Sequence, residues 1–168
     1  MTKGRFLKMP ELQNKLKERF PEAVLETHAH RGDETAVVTR ESLLKIARFI
    51  KTDSAFQMNV LMDEAGVDGL GMNWKPRFEV VYHFYSMPLN HRLRIKVRVE
   101  EKDPVVPSLV DLWPAANWFE REIWDMFGIR FEGHPNLKRI LMYEEFSGHP
   151  LRKDYPINKR QPLIGPRG

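Results

Sequence analysis

At 168 residues, with 42% hydrophobic and 30% charged side chains, the chain is long enough to bury the core of one domain, and it is neither disordered nor collagen-like in composition. It has no cysteine, which excludes a disulfide framework, thiol catalysis, Cys-ligated zinc and a Cys-bound iron–sulfur cluster. Residues 1–129 carry 19 basic and 19 acidic side chains and residues 130–168 carry 8 and 4, so the last 39 residues hold the whole net charge of +4.

In chain order, Pro10 opens a first helix in which Leu12, Leu16 and Phe20 recur every four residues, up to Pro21. Ala23 to His30 reads as a strand, Arg31-Gly32-Asp33-Glu34 as a turn and Thr35 to Thr39 as the returning strand. Leu43, Leu44, Ile46, Ala47 and Ile50 form the apolar stripe of a helix over about 41–51. Phe56, Met58, Val60 and Met62 alternate like a half-buried strand, and Gly66 to Pro76 reads as a glycine-rich loop. The strongest pattern is a hairpin. Phe78, Val80, Tyr82 and Phe84 alternate with Glu79, Val81, His83 and Tyr85, and Leu93, Ile95, Val97 and Val99 alternate with Arg94, Lys96 and Arg98. Asp103-Pro104 ends this pattern.

A last helix is expected from Pro114 to Phe127, stopped by Gly128 in the left-handed cap position. Its Ala116, Phe119, Ile123, Met126 and Phe127 share one arc toward the sheet, while Arg121 and Asp125 form an i,i+4 pair on the far face between Trp118 and Trp124. Two tryptophans around an Arg–Asp pair fit an interface, and they also fit packing beneath the C-terminal segment of the same chain; the two readings are compatible. That segment holds five prolines and four glycines after residue 130, which leaves little room for helices. The fold class is therefore α+β: a mainly antiparallel sheet of four to five strands with helices on one face, then an extended tail. The division is a module over 1–129, complete in its sheet and helices, and a basic docking tail over 130–168.

Catalytic chemistry finds little support. His28 and His30 share a strand face without a third ligand and read as a surface pair. No serine lies in a nucleophile elbow, and Gly66 to Gly71 lacks the ending of a phosphate-binding loop. Glu120 and Glu122 point about 160° apart on a helix, so they suit basic partners better than a shared substrate. Phe131-Glu132-Gly133-His134-Pro135 is echoed fifteen residues later by Phe146-Ser147-Gly148-His149-Pro150, and a basic pair follows each copy. These rigid turns suit structure or docking. A sheet-based RNA-binding module is the alternative of a different class, because Arg94, Lys96 and Arg98 lie beside His83 and Tyr85. No apolar run approaches the roughly 20 residues that span a bilayer, and no secretory leader is evident, so membrane contact is expected to be peripheral.

The stretch from Glu120-Arg121-Glu122-Ile123-Trp124-Asp125-Met126-Phe127-Gly128 through Gly133-His134-Pro135-Asn136-Leu137-Lys138-Arg139-Ile140-Leu141 closely resembles the signature of the respiratory complex I 30 kDa subunit family. The resemblance extends upstream over Arg77 to His83 and Asp111 to Trp118, and downstream over Gly148-His149-Pro150-Leu151-Arg152-Lys153-Asp154-Tyr155-Pro156. It implies a non-catalytic subunit with no cofactor or metal of its own, in the peripheral arm of a proton-pumping NADH-quinone oxidoreductase at the cytoplasmic face of the bacterial inner membrane. NADH, FMN, iron–sulfur clusters and quinone would belong to partner subunits. The foremost partner would be the 49 kDa subunit, which resembles the hydrogenase large subunit; nucleic acid would not be a partner, and membrane contact would come only through the complex. The equivalent subunit of a membrane-bound hydrogenase or ferredoxin-linked complex shares the signature. The resemblance places the interface on Trp118, Glu120, Arg121, Glu122, Trp124, Asp125, His134, Lys138, Arg139, His149, Arg152, Lys153 and Asp154. Arg139, Arg152 and Lys153 are expected to meet carboxylates of a neighbouring subunit.

Overall fold

The structure, a computed structural model, describes residues 11–161, so the expected helix start at Pro10 lies outside the described residues. Helix α1 (Leu12–Arg19) turns Leu12 and Leu16 inward, and the Phe20 N–H closes it on the Leu16 carbonyl. Strands β1 (Val24–His30) and β2 (Asp33–Val38) are joined through Arg31 and Gly32, both at positive φ, as tight hairpins with right-handed twist require. A 3₁₀ turn (Arg40–Ser42) leads into α2 (Leu43–Thr52), which buries Leu43, Ile46, Ala47 and Ile50.

Strand β3 (Val60–Asp68) corrects two expectations. Phe56 and Met58 are buried but precede the strand, and Gly66 to Asp68 belong to it, not to the loop. The alternation misleads here because a bulge between Leu61 and Asp63 inserts one residue and reverses the phase. Leu61 then opposes Phe84 and Glu64 opposes Tyr82, so a glutamate faces the core. The extension through Gly66 is matched to the last helix: a Cβ there would lie 2.7 Å from the Phe127 ring and 3.2 Å from Ile123.

The hairpin of β4 (Phe78–Ser86) and β5 (His91–Val99) holds the expected register, with Phe78 opposite Val99 and Ser86 opposite His91. The five strands run in the order β1-β2-β5-β4-β3. All neighbours are antiparallel except β2 and β5, which pair in parallel from Thr35–Arg94 to Val38–Val97. Val24, Ala36, Val38, Phe78, Val80, Tyr82, Phe84, Leu93, Ile95 and Val97 line one face, and the three helices pack on it.

Helix α3 (Ala116–Phe127) ends at Gly128 with φ +76°, the left-handed cap read from the sequence. The sheet content is not complete before residue 129: a second, two-stranded parallel sheet joins β6 (Val105–Pro107) to β7 (Arg130–Glu132), and Ile129 and Phe131 enter the core. From 133 to 161 the chain carries turns only and runs back across α3.

Candidate docking site: helix α3 and its strap

Only part of α3 faces the sheet. Ala116, Ile123 and Met126 are buried as the arc predicts, whereas Phe119 and Phe127 are half-buried. Asp125 does lie on the outer side, but its partner is not Arg121. The tail covers Asp125 completely: its Oδ2 accepts the backbone N–H groups of Ile140, Leu141 and Met142 at 2.8–3.0 Å, and Arg139 pairs with Oδ1. Burial raises the carboxyl pKa, but the three N–H groups and Arg139 outweigh it and hold Asp125 below the ordinary carboxylate range.

The tail also satisfies the carbonyls that a helix leaves open at its C-terminus. His149 Nδ1 donates to the Asp125 carbonyl (3.0 Å), Leu151 N–H to Met126 (3.1 Å) and Arg152 Nε to Phe127 (2.6 Å). At the start of the helix, His134 Nε2 donates to the Asn117 carbonyl (3.3 Å) while its Nδ1 accepts the Asn136 N–H. The repeated Phe-x-Gly-His-Pro turn thus staples the strap at both ends of α3, and both of its glycines have positive φ, +84° at Gly133 and +102° at Gly148. Burial lowers the pKa of both imidazoles and so favours the neutral forms that these bonds use.

Three of the tail cations bond within the chain. Arg139 lies over the Trp124 and Phe146 rings and donates to the Phe146 and Gly148 carbonyls, so it has no guanidinium to offer a neighbour. Arg152 stacks on Phe78, and Lys153 gives its N–H to Asp68 and its ammonium to the Leu70 carbonyl. Against the expectation that these three meet carboxylates of another subunit, Arg139 is taken up by Asp125 and Arg152 by the Phe127 carbonyl, while Lys153 stays at the surface with its ammonium 3.2 Å from the Leu70 carbonyl. Asp154, itself half-exposed, also has its partner within the chain. With Asp68 and Glu101 it surrounds Arg77, whose guanidinium forms paired bonds to Asp68 (2.8 and 2.6 Å) and to Asp154 (3.0 and 2.9 Å).

Glu120 departs furthest from the reading as a partner for a basic residue. It points inward, fully buried, and accepts Ser108 Oγ–H and Leu109 N–H, both at 2.6 Å. Glu122 stays at the surface. Trp118 is 58% exposed with Arg121 stacked on it at 5.3 Å, and Arg121 in turn donates to the Lys138 and Arg139 carbonyls. Leu141 of the strap is 55% exposed, and Lys138 is exposed as well. Trp124 lies half-buried beneath Arg139, so one tryptophan packs under the tail and the other faces out.

On the opposite sheet face, the basic row is paired off. Arg94 bonds His83, Thr35 and Asp33, Lys96 pairs with a buried Glu79, and Arg98 pairs with Glu26. Arg92, on the same face, is exposed and stacks on the Tyr85 ring. Among the described residues no three His, Asp or Glu side chains gather as a metal site, and no helix is long and apolar enough to cross a membrane.

Residues 36–161 match the family model described as "Respiratory-chain NADH dehydrogenase, 30 Kd subunit". The chain is 47% identical over 152 residues to the C subunit of the NADH-quinone oxidoreductase of Roseiflexus castenholzii, covering 90% of this chain and 86% of that one. To the same-named protein of Geobacter sulfurreducens it is 44% identical over 153 residues, covering 90% and 93%. Among solved structures, the trypsin-resistant fragment (1-134) of Nqo5 superposes with a TM-score of 0.65 at 35% identity, covering 76% of this chain and 99% of that one. A chain of an archaeal membrane-bound sulfane sulfur reductase shares the fold, with a TM-score of 0.72 at 24% identity over 88% of this chain and 85% of that one. The strap, the capped helix and the hairpin thus lie within a span that matches its relatives almost end to end, and the chain belongs to the 30 kDa subunit family of the respiratory-chain NADH dehydrogenase.

Proposed function

We propose that this chain is a non-catalytic, cofactor-free subunit of the peripheral arm of a proton-pumping NADH-quinone oxidoreductase, held at the cytoplasmic face of the membrane by its partner subunits. The naming of its relatives as the C subunit of that enzyme supports this reading. NADH, FMN, iron–sulfur clusters and quinone are carried by those partners, and the main contact is with the 49 kDa subunit. The observation that carries the docking role is the exposure of two large apolar side chains, Trp118 on α3 and Leu141 on the strap segment that crosses it. Trp and Arg at the centre of such a patch supply most of an interface's energy. With Arg139, Arg152 and Lys153 engaged inside the chain, the contact rests on Trp118, stacked Arg121, exposed Glu122 and Lys138, and Leu141.

We also propose that residues 133–161 act as a strap laid over a body that ends with β7 at Glu132, a few residues later than the boundary expected at 129. The relative solved as a trypsin-resistant fragment supports a protease-sensitive segment beyond a stable body. Trp118→Ala combined with Leu141→Ala is the test: the melting temperature of the purified chain is expected to stay within a few degrees, while recovery of the assembled complex from membranes falls at least tenfold. Unchanged assembly overturns the docking surface. Identification of the co-purifying subunits decides the partner; hydrogenase or ferredoxin-linked subunits in place of NADH dehydrogenase subunits would reassign the complex.

A further inference from the structure

Beneath α3, two carboxyl groups meet without a cation. The bulge in β3 turns Glu64 inward against Tyr82, whose hydroxyl acts on its carboxyl, and neither group makes a hydrogen bond of ordinary geometry to any other residue. From the other side α3 brings in Glu120, whose two oxygens take the Ser108 hydroxyl and the Leu109 N–H. The charged and titratable groups that act on Glu64 are Glu120 from α3, Asp63 from its own strand and Tyr82 from β4, all acids. A buried carboxylate with no counter-charge and only the Tyr82 hydroxyl beside it does not stay ionised, and two interacting carboxyls do not both ionise.

We propose that Glu64 and Glu120 form a proton-binding site that holds a proton between the sheet and α3 at neutral pH. Burial pushes Glu64 well above the ordinary carboxyl range, with the Glu120 charge adding to the shift. Burial likewise raises Glu120 to about 7, against the lowering effect of its two donors. Loss of the proton places uncompensated charge under the helix that carries Trp118, so the seating of α3 becomes pH-dependent. The effect on docking rests on the function proposed above, whereas the proton site does not.

The sign follows from linkage. A carboxyl raised in the folded state contributes its full stability below its unfolded value near 4.5 and loses it as pH rises through the folded value. Each proton held only by the folded chain changes the folding constant about tenfold per pH unit. The full chain and its Glu64→Gln variant should therefore diverge in urea unfolding between about pH 5 and 7, with the variant gaining by up to about tenfold per unit relative to the parent. Infrared spectra of the unaltered chain at pH 7 should show the carbonyl stretch of a protonated carboxylic acid, absent from a Glu64→Gln/Glu120→Gln double variant. Parallel pH profiles, or no such band in the unaltered chain, overturn the site. The spectrum of the unaltered chain decides the question even if a variant fails to fold. Both measurements use the isolated chain, so a failure of assembly alone would count against the docking surface and leave the proton site standing.

Discussion

Replacing Arg77 by Met tests how the strap is fastened. The guanidinium is 7% exposed and sits between Asp68, 2% exposed, and two half-exposed carboxylates, Asp154 and Glu101. Breaking a buried ion pair by removing one partner costs about 3–5 kcal/mol, because the remaining charge is left uncompensated. Asp68 still receives the Leu70 and Lys153 N–H groups, which places the cost of Arg77→Met near the lower end, about 3 kcal/mol. Asp154→Asn removes a partner that water already screens, for about 0–1 kcal/mol. At about 2–4 °C per kcal/mol for a chain of this size, the first variant should melt roughly 6–12 °C lower and the second within about 4 °C. Acid titration follows in the same sense. Hydrogen bonding to Arg77 holds the Asp68 carboxyl well below its ordinary value, so its contribution is full above about pH 4 and fades as pH falls through the depressed value. Thermal melts at pH 7 and pH 3, with trypsin cleavage at Arg152 and Lys153 followed on gels, measure both effects. An Arg77→Met melt within about 2 °C of the parent, or an Asp154→Asn loss as large as that of Arg77→Met, refutes the reasoning.

Asp125→Asn should cost about 3 kcal/mol, since it weakens three N–H contacts and leaves Arg139 half-buried without its charge partner; faster tryptic cleavage at Arg139 than at any site in the sheet is the accompanying sign. Gly66→Ala should destabilise by about 1–3 kcal/mol through overpacking, because its Cβ would press on the Phe127 ring, and near-ultraviolet circular dichroism should report the shift of α3.

Where burial follows periodicity, the sequence read true. The β4–β5 hairpin, α2 and the Gly128 cap each satisfy a local rule of alternation, helical spacing or positive φ. Two kinds of residue escaped. Glu64 and the start of β3 were hidden by a bulge, which no alternation pattern registers until the strand's neighbour is known. Asp125, Arg139 and Asp154 looked like free surface charges because their partners lie 14 to 77 residues away, and those pairings are created by a segment with no periodicity of its own. The exposure of Trp118 and the cover on Trp124 were likewise undecidable from helical angle alone, since both depend on where the strap crosses. The echoed Phe-x-Gly-His-Pro turns were the one written sign of that crossing.

Because the groups that close the C-terminal end of α3 come from residues 149 to 152, the order of synthesis bears on when the chain can finish folding. A nascent chain whose last emerged residue is Gly128 has its hairpin and all three helices in hand. Yet Asp125 lacks every donor, Arg77 lacks Asp154, and the carbonyls of Met126 and Phe127 face water. Residues 139 to 154 lock elements made before them, so α3 and Arg77 reach their native pairing only once those residues have left the ribosome.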